Sequence, residues 1–290
     1  CDSGFGNALA FRLNSMGFRV YACVLDTEST GAQDLRTNSK FPHNMVTIEV
    51  NVTNDTQIDR CFAHIQRDLM DTEHQLWSVV NNAGVCSSAY VEWGSMDEWH
   101  RVFDINVFGV GRVTRTFLPL LRPAKGRVVF TSSISGRTAG ASSAVYAMSK
   151  FSVSALADAL RQEMSPFEIK VSTIEPSAFK TPIIGLAVRS MATSWAQTDQ
   201  SVREVYGLEF YETLNKDLSS LLSSSFLSSN TDVVVDDMVD AITSISPKRR
   251  YSPTDGWTQR VFNLLKYLPD EWKERLFSMN SSVKPKYVQS

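Results

Sequence analysis

The residues best suited to chemistry are Tyr146 and Lys150, with Thr131, Ser132 and Ser133 shortly before them. A tyrosine and a lysine four positions apart fall on one face of a helix, so a phenol and an ammonium can act on one target. A phenol ionises at about pH 10, which makes it a poor proton acceptor near neutrality. An adjacent ammonium favours the phenolate and is expected to draw that value down. The pair suits the movement of an alcohol proton while the hydride passes to a nicotinamide. A Ser133 hydroxyl and a Tyr146 proton donor at one oxygen would form a small oxyanion site. Ser132 is expected to serve as a structural hydroxyl.

The elements that must carry these groups follow an alternating pattern. β-Branched apolar runs alternate with helix-length periodic segments, which predicts a parallel sheet covered on both faces. Strands are expected at Val20–Leu25, Met45–Val52, Trp77–Val80, Arg127–Thr131 and Lys170–Glu175. One helix is expected over Asp97 to Leu121, and another from Tyr146 to about Met164. From Pro182 to about Asn230 the chain is helical in propensity and carries no strand, with a serine-rich stretch from Ser219 to Ser229. An insertion there lies at the carboxyl edge of an open α/β sheet, where ligands bind, and reads as a substrate lid. A helix over Asp232 to Ile245 returns to the core. The tail has a helical stripe of Val261, Leu264, Leu265 and Leu268, flanked by Trp257, Trp272, Leu276 and Phe277. It reads as a helix packed on the body, or as a pocket lip or membrane-contacting patch. The fold class is thus a Rossmann-type doubly wound parallel sheet. A single domain over 1–250 contains the lid over 182–230, and 251–290 forms a helical extension.

Composition narrows the partners. The 290 residues can bury a full core, and a net charge of −2 gives no electrostatic case for nucleic acid. Cys1, Cys23, Cys61 and Cys86 are widely spaced and read as buried free thiols; His43, His64, His74 and His100 form no metal motif. No metal is expected. Asn51, Asn54 and Asn280 begin short glycosylation patterns of little weight. No apolar run approaches the roughly 20 residues of a membrane-spanning helix. The sequence begins at Cys1 inside a glycine-rich turn, without the strand expected to feed it. The chain therefore reads as a fragment whose compartment is not legible.

At that turn, Gly4 and Gly6 let the backbone approach a pyrophosphate, and the helix they open directs its amide dipole at the charge. Asp26, at the end of the next strand, can accept from a ribose 2′-hydroxyl, so NAD is favoured over NADP.

The ordered set Asn81-Asn82-Ala83-Gly84, Asn106 within Asp104-Ile105-Asn106-Val107, Ser133, Tyr146 and Lys150 resembles the short-chain dehydrogenase/reductase family. The interval from Ser133 to Tyr146 (146 − 133 = 13) is similar to that family's spacing, and the resemblance covers roughly Cys1 to Thr181. It implies that Tyr146 is the general acid/base and that Lys150 depresses its pKa and holds the nicotinamide ribose. Ser133 would polarise the substrate oxygen, and Asn106 would kink its helix and hold a water of the proton relay. The implied cofactor-binding set is Ser3, Gly4, Phe5, Gly6, Asp26, Asn51, Val52, Asn82, Ala83, Gly84, Tyr146, Lys150, Pro176 and Thr181. Asn51 stands where an Asp commonly caps the adenine; Pro176-Ser177 replaces the usual Pro-Gly of the nicotinamide loop, and Thr181 matches the position that usually holds the carboxamide. Trp77, Ala124-Lys125-Gly126-Arg127, Tyr251-Ser252-Pro253, Tyr206-Gly207 and Asn230-Thr231-Asp232 are similar to a subgroup holding retinol, 17β-hydroxysteroid and D-3-hydroxybutyrate dehydrogenases.

The apolar residues Phe179, Ile183, Ile184, Leu186, Trp195, Phe210, Leu214 and Phe226 point to a lipophilic alcohol such as a retinoid or steroid. D-3-hydroxybutyrate is the second reading, with Arg137, Lys180, Arg189 or Arg203 as the required cation. A catalytically silent scaffold is the reading from another class. The resemblance implies a homo-oligomer paired through the helices carrying Asn106 and Tyr146. It also implies association with a mitochondrial or endoplasmic-reticulum membrane, with the cytoplasm as the alternative.

Overall fold

Strand β4 (Arg127–Thr131) shows how the sheet is covered. Side chains alternate across a strand, so its Val128 and Phe130 enter one apolar cluster and its Val129 the other. The first cluster packs against α3 (Asp55–Thr72), α5 (Val110–Leu121) and α6 (Ala144–Glu163) through Ile58, Cys61, Phe117, Val153 and Leu160. The second packs against α1 (Gly4–Ser15) and α10 (Asp232–Thr243) through Leu9, Val234, Val235 and Met238. A sheet buried on both faces explains why its strands read as continuous apolar runs.

The computed structural model describes residues 1–221, 227–256, 260, 264, 267–269, 271–272 and 284–288. Strands β1 (Val20–Val24) and β2 (Met45–Glu49) pair in parallel, with α2 (Thr30–Asn38) packed through Leu35. Strands β3 (Ser78–Asn81), β4, β5 (Lys170–Ile174) and β6 (Arg250–Tyr251) form a four-stranded parallel sheet in that order. The register runs Val80, Val129, Ser172 across its three long strands. A cavity of about 520 Å³ separates the two pieces, lined by Val20, Tyr21 and Cys23 on one side and Ser78 to Asn81 on the other.

The helix expected over 97–121 is present as one continuous run, with a widened turn where Asn106 was expected to kink it. It is built as α4 (Met96–Phe103), a wide π-helical stretch (Asp104–Gly109), and α5. Two contacts account for the widened turn. Asn106 turns its amide to the Val85 backbone, and Gly109 lies so close to Val52 that a Cβ would meet its Cγ2 at 2.8 Å.

The insertion is helical as expected: α7 (Pro182–Gln197), α8 (Gln200–Tyr206) and α9 (Leu208–Leu221). A single parallel bridge, Phe179 to Ser228, ties its two ends. Of the tail stripe, Leu264 and Trp272 are exposed rather than packed on the body. Val261, Leu265, Trp257, Leu276, Phe277, Phe226 and Asn280 lie outside the described residues. Among the described residues no helix is long and apolar enough to cross a membrane.

Candidate active site

Parallel strands deliver their carboxyl ends to one edge, and there the sheet collects Asp26, Asn82, Ser133 and Pro176. Tyr146 and Lys150 come from the first turns of α6, whose Lys150 side chain is only 4% exposed. Its ammonium donates to the Thr131 carbonyl at 2.9 Å and stands 5.7 Å from the centre of the Tyr146 ring. Ser133 caps a short 3₁₀ turn, accepting from the Ser135 amide at 3.1 Å, and hydrogen-bonds to the Tyr146 phenol. Ser132 is structural: its hydroxyl donates to the Lys150 carbonyl and pairs with Ser154.

Asn106 is 1% exposed and links two parts of the site. Its Oδ1 accepts from the Val85 amide at 2.8 Å, and its Nδ2 donates to the Val85 carbonyl and to the Ser149 hydroxyl. Ser149 in turn donates to the Tyr146 carbonyl at 2.7 Å. One amide thereby joins the turn after β3 to the helix carrying the phenol.

The electrostatics correct one expectation. Burial pushes the Tyr146 phenol above its ordinary value; Cys86 acts in the same direction and the Ser133 bond only partly opposes them. The ammonium of Lys150 does not draw it down, because desolvation dominates both groups. Lys150 itself is lowered to about 8 by burial. Cys86, which sequence reasoning left as an inert thiol, acts electrostatically on both, and burial raises it to about 12. Its only signal in the sequence is its place two residues after Gly84.

The surroundings fit a dinucleotide. Ser3 makes no capping bond, so the first amides of α1 remain available to an anion, and Gly4 adopts φ +64° to enter the helix. A Cβ on Gly6 would strike Asn82 at 2.7 Å, and one on Gly84 would press on Asn106 at 3.3 Å and touch Lys150 at 3.5 Å. Glycines therefore hold open the floor between the turn and the Tyr146–Lys150 pair. Asn82 is fixed by the Thr131 hydroxyl at 3.2 Å. Two of the three ammonium protons of Lys150 remain for a ribose hydroxyl. Asp26 is exposed at the end of β1 and accepts from the Glu28 amide with one oxygen. Nearby, Arg36 donates to the Thr27 carbonyl at 2.7 Å and to Thr47, a cation the sequence reading overlooked. Asn51 is exposed, and its Oδ1 accepts from Thr53. Val52 packs on Gly109, Phe5 meets Phe179 edge-on at 5.9 Å, and Ala83 is exposed. Pro176 is buried and Thr181 half-buried at the mouth of α7. Among the described residues no group of His, Cys, Asp and Glu could hold a metal ion.

The insertion is not the open apolar wall that its composition suggests. Trp195, Phe210 and Leu214 pack with Trp93, and Tyr90, Tyr206 and Tyr211 join the same cluster; Phe179 belongs to the core beneath the sheet. Trp195 stacks on Tyr211 at 4.8 Å. Large aromatic rings bury their area against one another rather than leave it in water. Ile183, Ile184 and Leu186 remain half-buried on α7. A hydroxyl chain ties α7 to α4: Ser87 to Ser190 at 2.9 Å and Ser190 to Glu98 at 3.2 Å.

A half-buried tyrosine beside a buried serine, lysine and asparagine at the carboxyl edge of a parallel sheet defines a nicotinamide-dependent dehydrogenase of short-chain type. The model of the short chain dehydrogenase family matches residues 1–191, and the chain belongs to that family. It is an oxidoreductase acting on CH–OH groups with NAD or NADP as cofactor. It is 36% identical to the mitochondrial D-beta-hydroxybutyrate dehydrogenase of Bos taurus over 284 residues, 96% of this chain and 81% of that protein. It is 38% identical to retinol dehydrogenase 7 of Mus musculus over 288 residues, 98% and 87% of the two chains. With the 17-beta-hydroxysteroid dehydrogenase type 6 of Rattus norvegicus it shares 37% over 284 residues, 97% and 86%. A short-chain dehydrogenase/reductase from Burkholderia phymatum, solved in complex with NAD, has the same fold: TM-score 0.71, 22% identity, 97% and 94% coverage.

Proposed function

We propose that the chain is an NAD-preferring dehydrogenase of a lipophilic secondary or allylic alcohol, such as a retinoid or hydroxysteroid. The observation that carries the substrate class is the state of Arg137. It is the cation nearest in sequence to Ser133, and it is spent on Glu175, a carboxylate 2% exposed, at 3.0 Å. Glu175 shares its one charge between Arg137 and Arg250, so a substrate carboxylate would have to compete with Glu175 for the Arg137 guanidinium. The cofactor when bound supplies the hydride acceptor. The chain's own residues do the rest. Ser133 donates to the substrate oxygen, and Tyr146 exchanges the proton with that oxygen, as phenol giving it in carbonyl reduction and as phenolate, its own proton first passed on, taking it in alcohol oxidation. Lys150, with its value near 8, is the member of the pair that exchanges a proton close to neutral pH. Asn106 holds the turn at Val85 and the Tyr146 helix in register. Asp26 selects NAD through the ribose hydroxyl. The insertion over 182–230 acts as the lid of a single domain over 1–250, with 251–290 as an extension.

The hydroxybutyrate reading is favoured by the bovine relative's name and by Lys180 and Arg189, both exposed on or beside α7. NADH formation discriminates, assayed by absorbance on all-trans-retinol, estradiol, androstanediol and D-3-hydroxybutyrate with NAD and NADP. Turnover on a lipophilic alcohol supports the proposal; turnover on hydroxybutyrate alone replaces it. Exposed Phe108, Met148 and Phe151 lie on the segments carrying Asn106 and Tyr146 and support self-association through that face. Exposed Leu264 and Trp272 support peripheral contact with a membrane, mitochondrial or of the endoplasmic reticulum.

A further inference from the structure

We infer that Glu175 is a positioning residue that sets the catalytic serine loop against the loop 176–181 expected to hold the nicotinamide. Three sets of bonds converge on it. Its backbone neighbours accept from both neighbours of Ser133: the Ser132 amide donates to the Ile174 carbonyl at 2.8 Å, and the Ile134 amide to the Pro176 carbonyl at 3.0 Å. Its own side chain repeats the link, accepting at Oε1 from Arg137, one residue beyond the 3₁₀ turn that Ser133 caps. The same Oε1 accepts from Arg250 of β6 at 2.8 Å, and Arg250 also binds Asp158 on α6, the helix of Tyr146 and Lys150. The serine loop, the nicotinamide-side loop and the catalytic helix thus meet at one buried carboxylate.

A structural ion pair on the surface would matter little to geometry, because exposed pairs are weak and screened. This one is different, since a carboxylate at 2% exposure is retained only with its partners in place. Arg137 also borders a cavity of about 740 Å³ that it shares with Lys248, Arg250 and Tyr251. Released from Glu175, its side chain has room to leave, and the loop following Ser133 loses its side-chain tether. Misplacement of a reacting group by about 1 Å can cost about 100-fold in rate.

The inference concerns the cofactor's nicotinamide end and does not depend on which alcohol is the substrate. The test is calorimetric titration of the full chain and of Glu175→Gln with NADH and with ADP-ribose, which lacks the nicotinamide. The expected result is about tenfold weaker NADH binding in Glu175→Gln, with ADP-ribose binding changed less than about twofold. A role confined to stability would lower the melting temperature and weaken both ligands alike, or neither; either outcome overturns the inference. Arg137→Met keeps the Glu175–Arg250 pair and serves as the second variant, so a failure of Glu175→Gln to fold does not remove the test. It is expected to show the same selective loss, and the double variant no further loss. Full NADH affinity in Arg137→Met would refute the inference independently. If the unmodified chain binds neither ligand, the cofactor site, and this inference with it, falls.

Discussion

Replacing Lys150 with methionine should stabilise the free protein at neutral pH while destroying its activity. Burial lowers the lysine from 10.5 to about 8, so at pH 7 the folded protein holds a charge that its surroundings disfavour. At about 1.4 kcal/mol per tenfold, that cost is about 3 kcal/mol at pH 7. The sign follows from proton counting. Between pH 8 and 10.5 the unfolded chain binds more protons at this site than the folded one, so the penalty declines as pH rises. By pH 10 it is under about 1 kcal/mol. Methionine removes the penalty but orphans the Thr131 carbonyl, which loses its 2.9 Å bond at a cost of about 1–2 kcal/mol. The net expectation is a gain of about 1–2 kcal/mol at pH 7 and a neutral or unfavourable change at pH 10. Urea unfolding of both proteins without cofactor, at pH 7 and pH 10, measures the difference. A stability difference that is the same at both pH values, or a loss at pH 7, would show that the buried ammonium carries no such penalty.

Tyr146→Phe removes the proton acceptor and should lower kcat by about 100- to 10,000-fold, while the dissociation constant for NADH moves less than about twofold; equal loss of both would deny the phenol its role. Asp26→Ala should narrow the preference for NAD over NADP by about tenfold in kcat/KM, since its exposed carboxylate loses one acceptor for the ribose. Trp93→Ala empties the centre of the aromatic cluster at 2% exposure and should cost about 3–5 kcal/mol in that region. Its kinetic signature is a rise in substrate KM without a matching rise in cofactor KM, because the cluster lies under the insertion and away from the glycine turn.

Period and spacing were enough to read the parallel sheet, the succession of strands and helices along the chain, and the Tyr146–Lys150 pair, while Asn106 and Ser133 entered through the family resemblance. These are local properties: alternation along β4 follows from strand geometry, and Tyr146 meets Lys150 because four residues make about one helical turn. Ser133 was singled out from Ser132 only by the family resemblance; adjacent residues on extended backbone point to opposite sides, which is why the two hydroxyls find different partners. What the chain's neighbours in space do to these groups was not legible. The rise in the Tyr146 phenol and the fall in Lys150 come chiefly from burial in the folded chain, which no spacing encodes. The π turn at Asn106 depends on a hydrogen bond to Val85, 21 residues away in sequence. The aromatic residues of the insertion looked like a substrate wall, but Trp195 and Phe210 close on Trp93, more than 100 positions earlier. Arg137 looked available to a substrate carboxylate until the fold set it against Glu175. Pattern along the chain decides which residues share an element; only long-range packing decides their solvent, their partners and therefore their charge.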